Sequence, residues 1–411
     1  MSELRPAIIM GHTLTIRGPM PQQQVFQDAQ QFLAREEIPG WLIYDYRQSN
    51  PIFRQVVTPS GHVTRPCFLY IPAASPPQLL VHYVDAGKFL DCGLELLVYP
   101  SREGMLQALK LLLSGAPRVA MEYSPQSALP RVSRVDAGTV ELVRSLGVEV
   151  VSSADLMQYA TQRWTPEQLA GHERAAAKLG SIVNQAFQHI GETLAQDPDE
   201  YAIAQFIRRR FQEEGLVAAD GPIVATNAHS SDPHYEPAPQ GSSVIRPGDW
   251  VLIDLWAREA AQGSVYADIT WVACVGDRVR PEHQEIFDMV VGARDAALRH
   301  LQDAHRQGLT VQGWQADAVA RDYITQRGYG AYFTHRLGHS ISYEVHGEAV
   351  NLDGFETHDT RRIIPGIGFS IEPGIYLPEF GVRSEIDCFM SESGPYASSP
   401  VQREIVLIRG S

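Results

Sequence analysis

Apolar residues recur along the chain at two different spacings, and each spacing predicts a kind of element. Across residues 21–36 they fall on one side of a helix. Short apolar runs bounded by proline, glycine or aspartate follow, as is typical of strands, at 41–45, 67–71, 79–84, 96–99, 118–121 and 148–151. With a helix over 137–146, this pattern predicts a small α/β unit. Its histidines, His62 and His82, are isolated and belong to no motif.

A second unit is predicted to begin near residue 160. Thr165, Pro166 and Gln168 form a helix start, with threonine as the cap, proline first in the helix and glutamine three residues after the cap. Helical patterns cover 165–191, 199–214, 281–304 and 311–327. A chain of 411 residues exceeds the size at which single cores stop growing. We therefore expect two domains, 1–160 and 161–411.

Two strand-like runs, 250–256 and 265–275, are joined by a short polar loop and predict an antiparallel hairpin. Side chains alternate across a strand, so pairing in register could put Asp254 and Asp268 on one face. Glu372 precedes a proline, which favours extended backbone. Glu385 shares a strand face with Arg383, which could orient one of the carboxylates.

Four carboxylates held together would repel one another, since like charges in one site disfavour ionisation. Two divalent cations would balance them and leave His339 as a neutral imidazole. A ligand set rich in oxygen and free of thiolate suits Mn²⁺, Co²⁺ or Zn²⁺. A metal pair can hold a hydroxide and polarise a carbonyl at the same time, which indicates hydrolysis.

The order and context of these residues resemble one family, which contains methionine aminopeptidase, aminopeptidase P, prolidase and creatinase. The motifs are Val-Leu-Ile-Asp254-Leu-Trp, Tyr-Ala-Asp268-Ile-Thr, Leu-Gly-His339-Ser-Ile, Ser-Ile-Glu372-Pro-Gly and Val-Arg-Ser-Glu385-Ile-Asp. The resemblance runs from about residue 165 to the end and is looser before that. It implies an α+β architecture, with a C-terminal pita-bread catalytic domain and a smaller N-terminal α/β domain of the creatinase type. That smaller domain covers the active site or helps to form a dimer in the family, so a homodimer is expected.

The resemblance also implies a role for each candidate residue. The expected metal ligands are Asp254, Asp268, His339, Glu372 and Glu385. Asp268 and Glu385 would bridge two metal ions, and a bridging hydroxide would attack the scissile carbonyl. Glu372 would also serve as general base and later proton donor.

Further residues are expected around the ligands. His346 and His234 match the substrate-contacting histidines of the family, while His335 and Arg383 are expected to contact the substrate or a ligand side chain. Relatives usually have an apolar residue before the final glutamate and an acid after it. Here those positions are Ser384 and Ile386.

Two other interpretations were weighed. His335 and His339 have the spacing of a zinc-protease helix, but that motif needs a glutamate directly after the first histidine, and Arg336 stands there. A pita-bread protein that has lost catalysis and only binds partners stays open as an alternative. Its ligand set would be degenerate, whereas the set in this chain is complete.

The two-domain plan favours proline peptidases, so the expected substrate is a peptide with proline at its second position. Some dipeptidases have an arginine just after the second histidine, where it can bind the dipeptide's terminal carboxylate. No basic residue follows His346 before Arg361. This favours aminopeptidase P-like cleavage over the alternative, Xaa-Pro dipeptidase (prolidase), although a basic group from elsewhere in the fold could substitute.

Composition narrows the remaining function classes. The net charge of −14 and the lack of a basic stripe argue against nucleic acid as a partner. The four cysteines are far apart, so neither a disulfide framework nor a thiolate metal site is expected. No apolar stretch is long enough to span a bilayer and no signal peptide begins the chain, so a cytoplasmic protein without membrane contact is expected. Mn²⁺ is the expected metal, with Co²⁺ and Zn²⁺ as alternatives.

Overall fold

The computed structural model describes residues 22–410. The start of the chain, where no signal peptide was expected, lies outside the described residues. So does Pro21, the first residue of the first predicted helix. Within residues 22–410, no helix is both long and apolar enough to cross a membrane.

The N-terminal unit (residues 22–162) is built on one mixed sheet of six strands. Its strands are β1 (Gly40–Asp45), β2 (Cys67–Pro72), β3 (Gln78–His82), β4 (Glu95–Tyr99), β5 (Arg118–Met121) and β6 (Glu149–Ser152). Their order across the sheet is β4-β3-β2-β1-β5-β6. All six strands were predicted from the apolar runs, within one or two residues at each end.

Five helices cover this sheet: α1 (Gln22–Arg35), α2 (Pro51–Val56), α3 (Arg102–Leu112), α4 (Ala137–Ser145) and α5 (Ala154–Thr161). The sequence analysis predicted α1 and α4 and did not predict the other three. For α3 the signals were present, because Ser101 caps it by accepting from the Gly104 amide at 3.2 Å, and Met105 and Leu109 face the core one turn apart. The capped turn α2 is only 6 residues long and has no room for a periodic pattern.

The C-terminal unit (residues 163–410) contains four long helices and eleven short to medium strands. The helices are α6 (Pro166–Thr193), α7 (Glu200–Glu213), α8 (Pro281–Arg306) and α9 (Gly313–Thr325). The strands are β7 (Leu216–Val217), β8 (Ile223–Thr226), β9 (Trp250–Glu259), β10 (Ala267–Val275), β11 (Ser340–Ile341), β12 (Gly368–Ile371), β13 (Gly374–Tyr376), β14 (Gly381–Arg383), β15 (Ile386–Ser391), β16 (Gly394–Ala397) and β17 (Val406–Ile408).

The predicted start of α6 is confirmed in detail. The Gln168 amide donates to Thr165 Oγ1 at 3.3 Å, and the Thr165 amide donates to Gln168 Oε1 at 2.8 Å. These two bonds satisfy two backbone N–H groups at the amino end of the helix. The N-terminal sheet and its helices end just before this cap, and the domain boundary at residue 160 stays a prediction.

The hairpin of β9 and β10 stands between two layers of the C-terminal unit. Val251 and Ile253 pack against α6 and α7 on one face. The other face carries Trp250 and Leu252, which pack with α8 and with the sheet β11-β12-β15-β16. Asp254 follows Leu252 on that second face. The hairpin therefore turns its acidic positions toward the space between its own sheet, β17-β10-β9-β7, and the sheet β11-β12-β15-β16.

The N-terminal sheet also contains a fully buried carboxyl group. Glu122 accepts hydrogen bonds from Trp41 Nε1 at 2.6 Å, Asn50 Nδ2 at 3.0 Å and Ser153 Oγ at 3.2 Å. Burial nevertheless raises the pKa of Glu122 to about 7. Because this pKa lies above the value in the unfolded chain, Glu122 favours the folded state at low pH, and the contribution is lost as pH rises through about 7.

We expect Glu122→Gln to change the pH dependence of stability. Between about pH 5 and pH 8 the wild-type protein should lose roughly 3 kcal/mol relative to the variant, whose amide does not titrate. Thermal unfolding of both proteins across this pH range measures the difference. Parallel curves for the two proteins would contradict the assignment.

Candidate active site

Nine side chains singled out in the sequence line one cavity of about 260 Å³ between the sheet of the β9–β10 hairpin and the sheet β11-β12-β15-β16. They are Asp254, Asp268, His339, Glu372, Glu385, His234, His335, His346 and Arg383. They come from the loop between β8 and β9, which carries His234, from the hairpin, from the loops around β11 to β13 and from the junction of β14 and β15. The structure therefore brings together every residue of the predicted site.

The hairpin register sets the first two carboxylates. Asp268 lies opposite Trp256, and Thr270 lies opposite Asp254, so the two acids are diagonal neighbours on one face. This confirms the pairing predicted for β9 and β10. The Asp268 amide also donates to Asp387 Oδ2 at 2.9 Å, which ties the hairpin to β15.

Three carboxylate oxygens in the cavity have no hydrogen-bond partner: Asp254 Oδ1, Asp268 Oδ1 and Glu385 Oε1. Burial raises the pKa of all three groups, and neighbouring negative charges raise those of Asp268 and Glu385 further. An unpaired buried acceptor costs free energy, and a buried unpaired charge costs more. Divalent cations are the partners that would remove both penalties.

His339 completes this donor set. Its Nδ1–H donates to the Ser340 carbonyl at 3.1 Å, so the lone pair is on Nε2, which faces Glu372 Oε1 at 3.3 Å and Asp268 Oδ2 at 3.7 Å. Burial lowers the pKa of His339 to about 3 and keeps the ring neutral. A neutral histidine anchored through one nitrogen is the usual form of a metal ligand. Asp268, His339 and Glu385 offer ligand atoms within 4.8 Å of one another. The residues therefore fit divalent metal ions.

Arg383 links two of the carboxylates through hydrogen bonds, one directly and one through Thr270. Its Nη2 donates to Asp254 Oδ2, and its Nε donates to Thr270 Oγ1 at 3.0 Å. Thr270 Oγ1 in turn donates to Glu385 Oε2 at 2.7 Å. The bonds to Asp254 and Glu385 each occupy one oxygen of a carboxylate whose other oxygen is unpaired. The contacts support the orienting role predicted for Arg383.

His335 forms part of the wall. Its Nδ1–H donates to the Arg336 carbonyl at 2.7 Å, and its Nε2 accepts from Tyr376 Oη at 2.8 Å. Tyr376 Oη accepts in turn from Arg383 Nη1 at 3.1 Å. Burial lowers the pKa of His335 to about 4, so the ring is neutral. With both nitrogens occupied, His335 acts on the site through its neighbours. Tyr376 was not predicted, because no motif marks it.

His346 presents its ring to the cavity. The ring meets that of His339 edge-on, with centroids 4.4 Å apart. The His346 side chain is exposed. Partial desolvation nevertheless lowers the pKa of His346, and the neighbouring His339 lowers it further. A neutral, accessible imidazole can donate or accept a hydrogen bond.

His234 lies at the exposed rim, in a loop that a buried carboxylate holds in place. Glu200, in the first turn of α7, accepts from the Thr226 amide at 2.7 Å and from Tyr235 Oη at 2.6 Å. His229 Nδ1 also contacts Glu200, at 2.9 Å, and His229 is absent from the cavity wall. This agrees with its interpretation as a loop histidine.

Three charged residues that the sequence analysis did not assign to the site also line the cavity: Asp220, Arg336 and Glu356. Arg336 Nη1 pairs with Glu356 Oε2 at 3.1 Å, and the Arg336 amide donates to Glu356 Oε1 at 3.0 Å. Arg336 lies between two candidate histidines, a position that could have marked it. Glu356 reaches the site through a tertiary contact that leaves no sequence signal.

Comparison with known proteins agrees with this geometry. Residues 174–392 match the model of metallopeptidase family M24. The probable dipeptidase PepE of Mycobacterium bovis is 26% identical over 346 residues, covering 83% of this chain and 85% of PepE. The Xaa-Pro dipeptidase of Lactobacillus delbrueckii subsp. lactis is 33% identical over 220 residues, covering 51% of this chain and 53% of that protein.

The fold is shared with solved relatives. The crystal structure of dipeptidase PepE from Mycobacterium ulcerans aligns with a TM-score of 0.71 and 23% identity, covering 94% of this chain and 98% of that one. This confirms the α+β pita-bread architecture that the motifs implied. A family model that matches more than half of the chain, together with carboxylates and histidines that converge on one cavity, leads to one conclusion: the chain belongs to metallopeptidase family M24.

Proposed function

We propose that this protein is a metal-dependent exopeptidase that hydrolyses the Xaa-Pro bond at the amino end of a peptide, as aminopeptidase P does. The observation that carries the proposal is the cavity itself. Three unpaired carboxylate oxygens and a neutral histidine nitrogen meet there, next to accessible histidines. A binding module without catalysis would have no need to keep so costly an arrangement.

Two divalent metal ions are proposed, Mn²⁺ first and Co²⁺ or Zn²⁺ as alternatives. Asp254, Asp268, His339, Glu372 and Glu385 would hold them. When bound, such ions activate a water molecule and polarise the scissile carbonyl. The metal identity, the homodimer and the cytoplasmic location stay predictions from the sequence.

Glu372 is proposed to move the proton. Ser370 Oγ donates to its Oε1 at 3.0 Å, and Oε2 accepts no hydrogen bond from the residues that the structure describes. That oxygen would accept a proton from the attacking water and pass it to the departing proline nitrogen. His346 would donate a hydrogen bond to the substrate backbone. His234 would donate one to the carbonyl oxygen as this oxygen gains negative charge.

Proline preference is proposed to arise from the apolar part of the wall. Ile223, Trp256 and Val345 line the cavity beside the polar residues. Proline has a fixed ring and no amide N–H, so a rigid apolar surface can select it without leaving a donor unpaired.

Cleavage of Xaa-Pro dipeptides is a second candidate function, and Arg336 favours it. The aminopeptidase interpretation depended on the lack of a basic residue just after His346. Arg336 reaches the cavity from another part of the chain, and its Nε is buried without a partner. The relatives compared above are also named dipeptidases. Glu356 already neutralises Arg336, however, so a substrate carboxylate would have to compete for it.

Metal removal tests the chemistry. Chelation should abolish activity and lower the melting temperature, and Mn²⁺ or Co²⁺ should restore both, because a ligand that binds only the folded state stabilises it by about 2.7 kcal/mol at a hundred times its Kd. Peptidase assays and thermal unfolding before and after reconstitution measure this. Full activity in metal-stripped protein would exclude the mechanism.

Substitutions separate metal binding from proton and substrate contacts. Asp268→Asn and Glu372→Gln should each lose bound metal together with activity, since each removes a charged ligand. His346→Ala should keep its metal and lose about 10²-fold or more in kcat. His62→Ala, at an exposed position outside the cavity, is the control. Loss of metal from His346→Ala would show that the roles of His339 and His346 were divided wrongly.

The two candidate functions differ in the substrate they prefer. If the protein is an aminopeptidase, kcat/KM should be higher for an Xaa-Pro-Yaa tripeptide than for its parent Xaa-Pro dipeptide, because the dipeptide would bury an unpaired carboxylate. Arg336→Ala should then change both values alike, and Arg336→Lys is its charge-preserving control.

A dipeptide preference that falls about tenfold or more in Arg336→Ala would establish the dipeptidase instead. A proline-free peptide cut at the same rate as either substrate would remove the proline specificity.

A further inference from the structure

The backbone that carries His346 is irregular. From residue 342 to residue 350 it forms bends and has no strand or helix bonding. The Gly347 amide donates to the carbonyl of Ser340 in β11, at 2.7 Å. Polar groups of such backbone are usually satisfied by side chains from elsewhere. The groups that hold this segment therefore decide where His346 lies.

The N-terminal unit supplies several of those groups, and among them Arg131 contacts the His346 carbonyl directly. Its Nη1 donates to the carbonyls of two consecutive residues, His346 at 3.3 Å and Gly347 at 3.0 Å. It also pairs with Glu348 Oε1 at 3.3 Å. One guanidinium nitrogen, Nη1, thus lies between the two carbonyls and the Glu348 carboxylate.

Other side chains of the N-terminal unit hold the same segment further along. Gln162 Oε1 accepts from the Glu348 amide at 3.3 Å, and Gln158 Oε1 accepts from the Val350 amide at 3.1 Å. Arg134 donates to Glu348 Oε1 at 3.0 Å. In the described hydrogen bonds Arg134 shares that carboxylate with Arg131 but contacts neither the His346 nor the Gly347 carbonyl.

The His346 ring itself is weakly restrained. No hydrogen bond of the described residues involves its ring nitrogens, and its one close aromatic partner is the ring of His339. A ring held only by its backbone and one edge contact follows any movement of that backbone. A shift of about 1 Å at a reacting group can lower a rate by about 10²-fold.

We propose that Arg131 is a positioning residue for His346, and that the N-terminal unit thereby takes part in turnover within a single chain. This inference rests on the substrate-contacting role proposed for His346. Arg131 touches neither the substrate nor the metal ligands, and it acts by fixing the two carbonyls at and after His346.

The test uses the full-length, metal-loaded protein. Arg131→Ala should lower kcat by about 10- to 100-fold with unchanged metal content, because the His346 ring loses its position. Arg134→Ala is the matched control, since it removes a guanidinium from the same carboxylate and should keep kcat within about twofold of wild type. Arg131→Lys should recover part of the loss, because its ammonium can donate to the same carbonyls but is carried on a different, flexible side chain.

A double-mutant comparison identifies the route of the effect. In a His346→Ala background, adding Arg131→Ala should cause no further fall in kcat, because the residue it positions is gone. If the two losses multiply, or if Arg131→Ala alone leaves kcat unchanged, the inference is wrong. Should Arg131→Ala fail to fold, Arg131→Lys in both backgrounds makes the same comparison.

The same experiment separates this inference from the function on which it depends. Full activity in His346→Ala would contradict the role of His346 and the inference together. An inactive His346→Ala beside a fully active Arg131→Ala would contradict the inference alone.

Discussion

The mutual repulsion of buried carboxylates is the constraint on which the rest of the C-terminal unit depends. Asp254, Asp268 and Glu385 each expose less than a tenth of their surface, and each keeps one oxygen unpaired. A fold tolerates such groups only where the surrounding structure fixes them and a partner compensates the charge. The Arg383 and Thr270 contacts provide the first condition, and divalent metal ions fit the second.

The layered architecture explains why these groups can be held so closely. One face of β9 packs against α6 and α7. The register of the hairpin therefore cannot slip without exposing that apolar face. The same register decides which residues face the cavity. The pairing of β9 with β10 therefore determines both the packing of the apolar face and the positions of the acidic side chains.

The sequence was sufficient to find the acidic residues and histidines that line the cavity, and most elements, because their signals are local. Alternation along a strand located Asp254 and Asp268, and a helix cap located the start of α6. The supporting residues were missed for the opposite reason. Tyr376, Glu356 and Arg131 reach their partners through tertiary contacts between segments far apart in sequence, and nothing in their neighbours distinguishes them from ordinary polar residues. Arg336 was seen only as a reason to exclude another motif, although its place between two histidines carried information.

The order in which the candidate ligands occur along the chain has a consequence for how the protein folds. Asp254 and Asp268 share a local hairpin, whereas Glu385 joins them only when a distant strand pair docks against it. Contacts of high sequence separation form late, because the loop must be closed before the contact can stabilise it. A partly folded chain that has formed only the hairpin therefore presents Asp254 and Asp268 to a metal ion, without His339. Tight binding begins only when both sheets have met, so the metal would select the finished fold over its intermediates.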